Sequence, residues 1–325
     1  MKIVRIFRSW PGPGLFRQTP GENGVWNGVR FTEEPAEQYD YVITLNYAND
    51  DAQVLCPAEN IWSLQQEPPT EFFKPWHNAH QVYRKVFTPD VSLVGERYIH
   101  SHPATGWWVG RSYDFLNTCP APEKTKKLSW ITSNKNSLKL HKKRLLFLEK
   151  IKAEGVEFDL FGQGFSPIAD KWDGLASYRY SLAIENFRGP FYWSEKLADC
   201  FLSWTMPIYY GCTNIEEYFP KESFILIDIN DPNAANYLKE IIKRDLWFKN
   251  REAITYAREL VLNHYQFFPY ITNQIRNHEK EQEPRVPERE RIFIPGEKES
   301  RNHPARKKKN VLQRIKKRLR LIQKG

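Results

Sequence analysis

An α/β protein built on parallel sheets is the fold class this sequence predicts, and three observations carry that prediction. Short β-prone runs alternate with segments of helical spacing, a pattern that implies crossovers between parallel strands. Hydrophobic residues make up 41% and aromatic residues 14% of the 325, enough for packed cores and room for two domains of ordinary size. The four cysteines, Cys56, Cys119, Cys200 and Cys212, show no CxxC spacing and no regular framework, so they read as reduced thiols and not as a disulfide scaffold.

The elements follow in order. "MKIVRIFRSW" has charges breaking its apolar run, so it is expected as a first strand and not a signal peptide. "YDYVITLNY", "NIWSLQQ" and "QVYRKVF" are further strands, set apart by polar segments containing Pro and Gly. "PAPEKTKK" (120–127), rich in Pro and charge, is the expected domain boundary. A second series opens with "LSWITS" (128–133). The next segment has helical spacing through Leu140, Leu145, Leu148 and Ile151, with Gly155 as its stop. "VEFDLFG", "YSLAI", "MPIYYG" and "SFILIDI" continue the strand series, with helical segments between the later ones. From Glu279 the composition is that of a poorly packed linker. No internal repeat is visible, and no stretch approaches the roughly 18 apolar residues of a membrane span.

Charge is unevenly placed. Residues 301–325 hold eleven Lys or Arg and no Asp or Glu, which leaves 37 basic and 39 acidic residues in 1–300, a net of −2. The basic pI of about 9.2 belongs to the tail. A nucleic-acid-binding body is disfavoured, because such domains usually spread basic charge over a folded face. Within the tail, Val311, Leu312, Ile315, Leu319 and Ile322 fall at helical spacing, the pattern of a basic amphipathic helix on an anionic membrane. A solvated tail that binds any polyanion has the same composition.

The most informative stretch is "SLAIENFRGPFYWSEKLAD" (181–199). Ser181–Ile184 reads as an apolar strand, and Ser194 is suited to cap a helix with Leu197, Ala198 and Phe201 on its inner face. Glu195 suits the positive end of the helix dipole, whereas Lys196 does not, at a cost of a few tenths up to roughly 1 kcal/mol. In open parallel sheets ligands bind beyond the carboxyl ends of strands, so Glu185, Asn186, Glu195 and Lys196 should share one crevice. A phosphate at the helix N-terminus would make the lysine favourable there; a lysine reaching into water is the plain alternative.

Residues 178–211 resemble the signature of the α1,3/α1,4-fucosyltransferases of glycosyltransferase family 10. That pattern has a Tyr-Lys-Phe start, an apolar strand, Glu-Asn, a loop ending in Tyr-x-Thr-Glu-Lys, a helix and a Pro-containing strand. Tyr178, Tyr180, Glu185, Asn186, Tyr192, Glu195, Lys196, Pro207 and Gly211 match it without a gap. "SWITSNKNS" and the helix after it (129–151) resemble the segment that opens the family's nucleotide domain. Ser194 replaces the usual Thr, and Trp193 is bulkier than the residue common there. Animal members carry an N-terminal membrane anchor, so this chain looks like a bacterial-type member.

The resemblance implies a GT-B architecture: two Rossmann-like domains facing a cleft. It implies an N-terminal acceptor-binding domain (1–125), a GDP-fucose-binding domain (126–275), and a charged linker with a basic tail (276–325). On this reading Lys196 contacts the diphosphate, Arg144 (or its neighbour Lys143) neutralises phosphate, and Glu195 accepts hydrogen bonds from ribose. Asn186 and Tyr192 line the nucleotide and sugar pocket, and Glu185 is either catalytic support or a satisfied polar group. Inverting transfer needs a base on the acceptor side, and Glu67 in "SLQQEPP", at the end of an apolar strand, is the candidate, with Glu71 its competitor. Trp107, Trp108 and Tyr113 could form an acceptor platform or core, and His102 is structural or catalytic. No Asp-x-Asp or His/Cys ligand spacing accompanies the motif, so no essential metal is expected. The expected activity is transfer of L-fucose from GDP-fucose, α1,3 to GlcNAc or Glc, onto an oligosaccharide or glycolipid such as a lipopolysaccharide side chain. Transfer of another GDP-linked sugar, and a non-catalytic glycan- or membrane-binding protein with a transferase fold, are the alternatives. The expected location is cytoplasmic, peripheral on the inner membrane face through 301–325, with no nucleic acid as partner.

Overall fold

A computed structural model describes residues 1–10, 14–282 and 287–302. The chain packs as two α/β units, the first from 1–10, 28–100 and 287–302, the second from 14–27 and 101–282 of the described residues.

In the first unit, six parallel strands lie in the order Val29–Thr32, Lys2–Arg8, Tyr41–Leu45, Ile61–Leu64, Lys85–Thr88 and Tyr98–His100. Tyr41–Leu45 and Ile61–Leu64 are buried at every position, which is why they read as unbroken apolar runs and not as alternating ones. Glu290–Ile294 pairs antiparallel with Ala52–Cys56 at the margin of this unit. Its outward Arg291 and Phe293 alternate with inward Ile292 and a fully buried Ile294. That period-2 alternation is what makes a strand here, inside a stretch whose composition suggested a linker.

In the second unit, five parallel strands run in the order Asp159–Phe161, Lys126–Ile131, Tyr178–Gly189, Met206–Cys212 and Ile225–Leu226. The helix Lys139–Ala153 packs on this sheet and stops before Gly155, whose φ of +69° takes the left-handed conformation expected of a stop. Its expected stripe of Leu140, Leu145, Leu148 and Ile151 faces the core, joined there by polar residues. His141, Arg144, Phe147, Leu148 and Ile151 are buried, while Leu145 is half-buried and Leu146 is exposed. Two polar side chains thus take positions on the core-facing stripe.

The packing units are discontinuous where a continuous division at 125 and 275 was expected. Arg17 explains the N-terminal part: its guanidinium donates to the carbonyls of Trp107, Val109 and Arg111 at 2.6, 2.7 and 2.8 Å, tying 14–27 to 101–125. At the other end, the helix Phe267–Glu281 runs past 275 with its inner face buried. Two α/β units, each on a parallel sheet, are the components of the GT-B class. The expected amphipathic helix of the tail lies outside the described residues. Among the described residues no helix is long and apolar enough to cross a membrane.

Candidate active site

The second unit gathers the site at the carboxyl end of Tyr178–Gly189. Its pairing with Met206–Cys212 becomes irregular between Ile184 and Gly189, which frees the segment carrying Glu185 and Asn186 from the regular ladder. Glu185 is fully buried. Its two carboxylate oxygens accept from the Ser194 N–H and the Ser194 hydroxyl, both at 2.7 Å. Gly211 makes room for it, because a Cβ there would stand 2.4 Å from Glu185 Cγ. With both oxygens engaged, Glu185 is a satisfied anchor of the helix cap. Burial raises its pKa, against the opposing pull of Lys196 and Ser194.

Ser194 caps the helix Glu195–Leu202, its hydroxyl accepting from the Lys196 N–H at 3.4 Å, and Leu197, Ala198 and Phe201 are buried as expected. The Lys196 ammonium folds back over this cap. Its Nζ lies 3.0 Å from Ser194 Oγ, 3.2 Å from Glu195 Oε1 and 3.4 Å from Glu185 Oε2. Burial alone would lower its pKa, but Glu195 and Glu185 outweigh that and raise it. Part of the answer to a lysine at a positive helix end is therefore built into the protein, as two carboxylates and a hydroxyl.

Glu195 sits between two cations, with Lys196 at 3.2 Å and Lys171 at 3.7 Å. Burial pushes its carboxyl up, but the two lysines hold it down at about 2. About a fifth of its side chain remains accessible. Across from the cap, the buried Arg144 donates to Asn186 Oδ1 at 2.9 Å and to Ser133 O at 3.1 Å. Its Nε, also buried, has no partner among the described residues. Burial lowers the Arg144 pKa, with Glu185 opposing. Lys143, its competitor, instead donates to Asn230 at 2.8 Å. Tyr192 is buried, its ring edge-on to Phe187 at 5.8 Å.

Two residues of this constellation carry no sequence motif. Lys171 donates to Asp199 at 2.9 Å, and Asp199 accepts from the N–H groups of Trp108 and Val109 at 2.8 and 3.2 Å. The only signal was Asp199 itself, an acid among the apolar residues of a capped helix, because a buried carboxylate requires donors.

His102 is enclosed by rings. It stacks on Trp193 at 5.0 Å and 16°, with Tyr218, Tyr265 and Tyr270 edge-on around it. Burial pushes its pKa down to about 3, and its Nδ1 accepts from the Ala104 N–H, so it is a neutral core histidine. The bulky Trp193 is thereby explained as half of this stack. Among the platform candidates Trp107 is buried and Tyr113 half-buried, whereas Trp108 is 43% exposed.

In the first unit, Glu67 emerges three residues beyond Ile61–Leu64, exposed, and lines a pocket with Asn46, Tyr47, Gln65, Trp76 and Asp90. Asn46 shapes that turn from a left-handed backbone at φ +62°. Its Oδ1 accepts from the Gln66 N–H at 2.7 Å, and its N–H donates to Leu64 O at 2.9 Å. Glu71 is exposed, paired with Lys74, and is not among the residues lining the pocket. Among the described residues no group of three His, Cys, Asp or Glu is placed to hold a metal ion.

Two α/β units on parallel sheets, one with cations grouped at a helix N-terminus beyond the strand ends, fit the GT-B class. Residues 121–265 match the model described as glycosyltransferase family 10 (fucosyltransferase) C-term. The chain is similar to 4-galactosyl-N-acetylglucosaminide 3-alpha-L-fucosyltransferase 9 of Bos taurus, 33% identical over 131 residues, covering 38% of this chain and 35% of that one. It is 30% identical over 201 residues to 3-galactosyl-N-acetylglucosaminide 4-alpha-L-fucosyltransferase FUT3 of Pan troglodytes, 56% of this chain and 48% of the relative. The chain thus spans less than half the length of these relatives. An alpha-glucosyltransferase structure in complex with UDP shares the fold, with a TM-score of 0.53 at 10% identity over 86% of this chain and 100% of that one.

Proposed function

We propose that this chain is an inverting, GDP-fucose-dependent fucosyltransferase acting on a hydroxyl of a glycan, with an α1,3 linkage to N-acetylglucosamine or glucose. The observation that carries the reading is the constellation of Arg144, Asn186, Glu195 and Lys196 on one helix cap and strand end, inside the family 10 segment. The names of the relatives, 3- and 4-alpha-L-fucosyltransferases, support L-fucose as the sugar.

In the proposed reaction the Glu67 carboxylate takes the proton of the acceptor hydroxyl as its oxygen attacks the anomeric carbon. The new C–O bond forms on the face opposite the breaking bond to phosphate, and GDP leaves with the electron pair. Arg144 and Lys196 meet the charge that develops on the diphosphate, and Glu195 takes the ribose hydroxyls. Glu185 and Ser194 hold the helix cap that aims Lys196. The second unit thus serves the donor, and the first serves the acceptor and the base. We assign 301–325 to peripheral association with an anionic membrane.

The test is incubation with GDP-fucose and N-acetyllactosamine, reading GDP release and the mass of the product. Acceptor-dependent GDP release with a fucosylated product supports the reading. Turnover only with another GDP-sugar overturns the donor, and binding of glycan without turnover of any GDP-sugar overturns the enzyme.

A further inference from the structure

The segment that returns to the first unit after 287 reaches the Glu67 pocket. Glu290–Ile294 joins Ala52–Cys56 as a strand. Gly296 then approaches Asp50 and Asp51 so closely that a Cβ would sit 2.5 Å from the Asp50 carbonyl carbon, and its N–H donates to Asp51 Oδ1 at 2.7 Å. The short helix Glu297–Asn302 follows, with Ser300 fully buried, and it packs on the 3-10 segment Lys74–Val82. Its last turn places the Arg301 guanidinium 4.4 Å from the centroid of Trp76. Asn78 Nδ2 donates to the Arg301 carbonyl at 3.4 Å, and Glu297 pairs with the guanidinium at 2.9 Å. Trp76 in turn is stacked on Tyr47, centroids 4.9 Å apart and planes within 6°. Tyr47 and Trp76 both line the pocket that holds Glu67.

We propose that Arg301 is a positioning residue for the acceptor pocket: from the C-terminal segment it fixes the Trp76 ring, and through it Tyr47, beside Glu67. The inference rests on the reading of that pocket as the acceptor site. The ligand class is a neutral sugar, for which the pocket offers ring surface on Tyr47, amides on Asn46 and Gln65, and carboxylates on Glu67 and Asp90. Trp76 is 5% exposed, so it acts as the support that sets the tilt of Tyr47. Arg301 is itself 46% exposed on its side chain and takes no part in the core, so replacing it perturbs the pocket wall and leaves the fold in place.

The experiment is steady-state kinetics on the full chain carrying Arg301→Gln or Arg301→Lys, with GDP-fucose and N-acetyllactosamine, alongside acceptor affinity by NMR titration without donor. Loss of a half-exposed cation–π contact should raise the acceptor KM and Kd about two- to fivefold in Arg301→Gln. The KM for GDP-fucose and kcat should stay at wild-type values. Arg301→Lys, which keeps the cation, should recover most of the loss. Acceptor affinity unchanged in Arg301→Gln overturns the proposal, and so does an equal loss of GDP-fucose affinity, which would mark general loosening. Glu67→Gln run in parallel separates the two readings. An active Glu67→Gln with weakened acceptor binding in Arg301→Gln refutes Glu67 as base and supports the pocket. An inactive Glu67→Gln with normal acceptor binding in Arg301→Gln refutes the role of Arg301 and leaves the base in place.

Discussion

Lys196 faces an unfavourable helix end, and three acceptors within 3.4 Å hold it there. The same geometry sets the consequence of removing it. On the proposed reading, Lys196→Ala takes away a charge-assisted contact to phosphate worth about 1.5–3 kcal/mol, so the Kd for GDP should rise roughly ten- to a hundredfold by calorimetry. It also takes the lysine cation from the buried Glu185, which keeps its two hydrogen bonds from Ser194, so melting temperature should drop as well. An unchanged GDP affinity would show that the ammonium serves only the internal pairs. Lys196 and Glu195 were legible in the sequence because a capping serine and an apolar helical stripe fix their register. Lys171 and Asp199 were not, because their contact joins a short 3-10 turn to a helix across the intervening strand Tyr178–Gly189, a tertiary pairing that no local spacing encodes.

Two titratable groups give the residue scale a pH signature. His102 is pushed to about 3 from an ordinary 6.5 by burial. The unfolded chain therefore binds the extra proton first, and the contribution of His102 to stability is lost progressively as pH falls from about 6.5 toward about 3. The slope is about 1.4 kcal/mol per pH unit within that window. Glu195 adds loss only lower, as pH falls from 4.5 to about 2, because its carboxyl is depressed. Comparing wild type with His102→Phe by thermal melts at pH 7 and pH 5 should show the stability gap narrowing or reversing at pH 5. A gap independent of pH would mean that the ring is not held neutral. His102 could be called neither structural nor catalytic from sequence, since the four rings around it come from positions as far apart as 193 and 270.

At the scale of elements, the helix cap and the strand end form one device. Ser194 donates to Glu185, accepts from the first turn, and accepts from Lys196. Ser194→Ala should cost about 0.5–2 kcal/mol as a lost cap and weaken GDP binding with it, while Ser194→Thr should restore both. Gly211→Ala tests the neighbouring strand. Its Cβ would press on Glu185 Cγ, an overpacking that costs typically about 1–3 kcal/mol and should lower the melting temperature. The strands of this device were readable because a buried parallel strand leaves an apolar run. The helix 139–153 was readable in extent and in its apolar stripe, but not in the buried His141 and Arg144 beside that stripe, because the deciding contact, Arg144 to Asn186, is tertiary. Lys124 makes the same point. It lies in the Pro- and charge-rich stretch expected as a boundary, yet its ammonium is buried and donates to Ala176 O, Ser203 O and Thr205 Oγ1.

On the scale of the whole molecule, composition located the charge correctly but not the ends of the folded parts. Strand-helix alternation is local and survives in the sequence. Membership of a unit depends on contacts such as Arg17 with Trp107, or Ile294 inside the first unit, which no local pattern encodes. The C-terminal segment therefore has two jobs to separate: 287–302 belongs to the first unit, and ten Lys or Arg follow after Arg301. The proposed membrane role should be tested on the full chain, with the Lys and Arg residues at 306–309, 314, 316–318 and 320 changed to Gln and Arg301 kept. A basic segment near an anionic surface contributes about 1 kcal/mol per residue, so binding to phosphatidylserine-containing vesicles should fall by orders of magnitude. Turnover of soluble N-acetyllactosamine should remain at the wild-type level, because none of the residues proposed for donor, acceptor or base is among those changed. Vesicle binding equal to wild type would remove the membrane from the function of the tail. Loss of soluble turnover would instead show that the tail acts on the acceptor side, next to the arginine that precedes it.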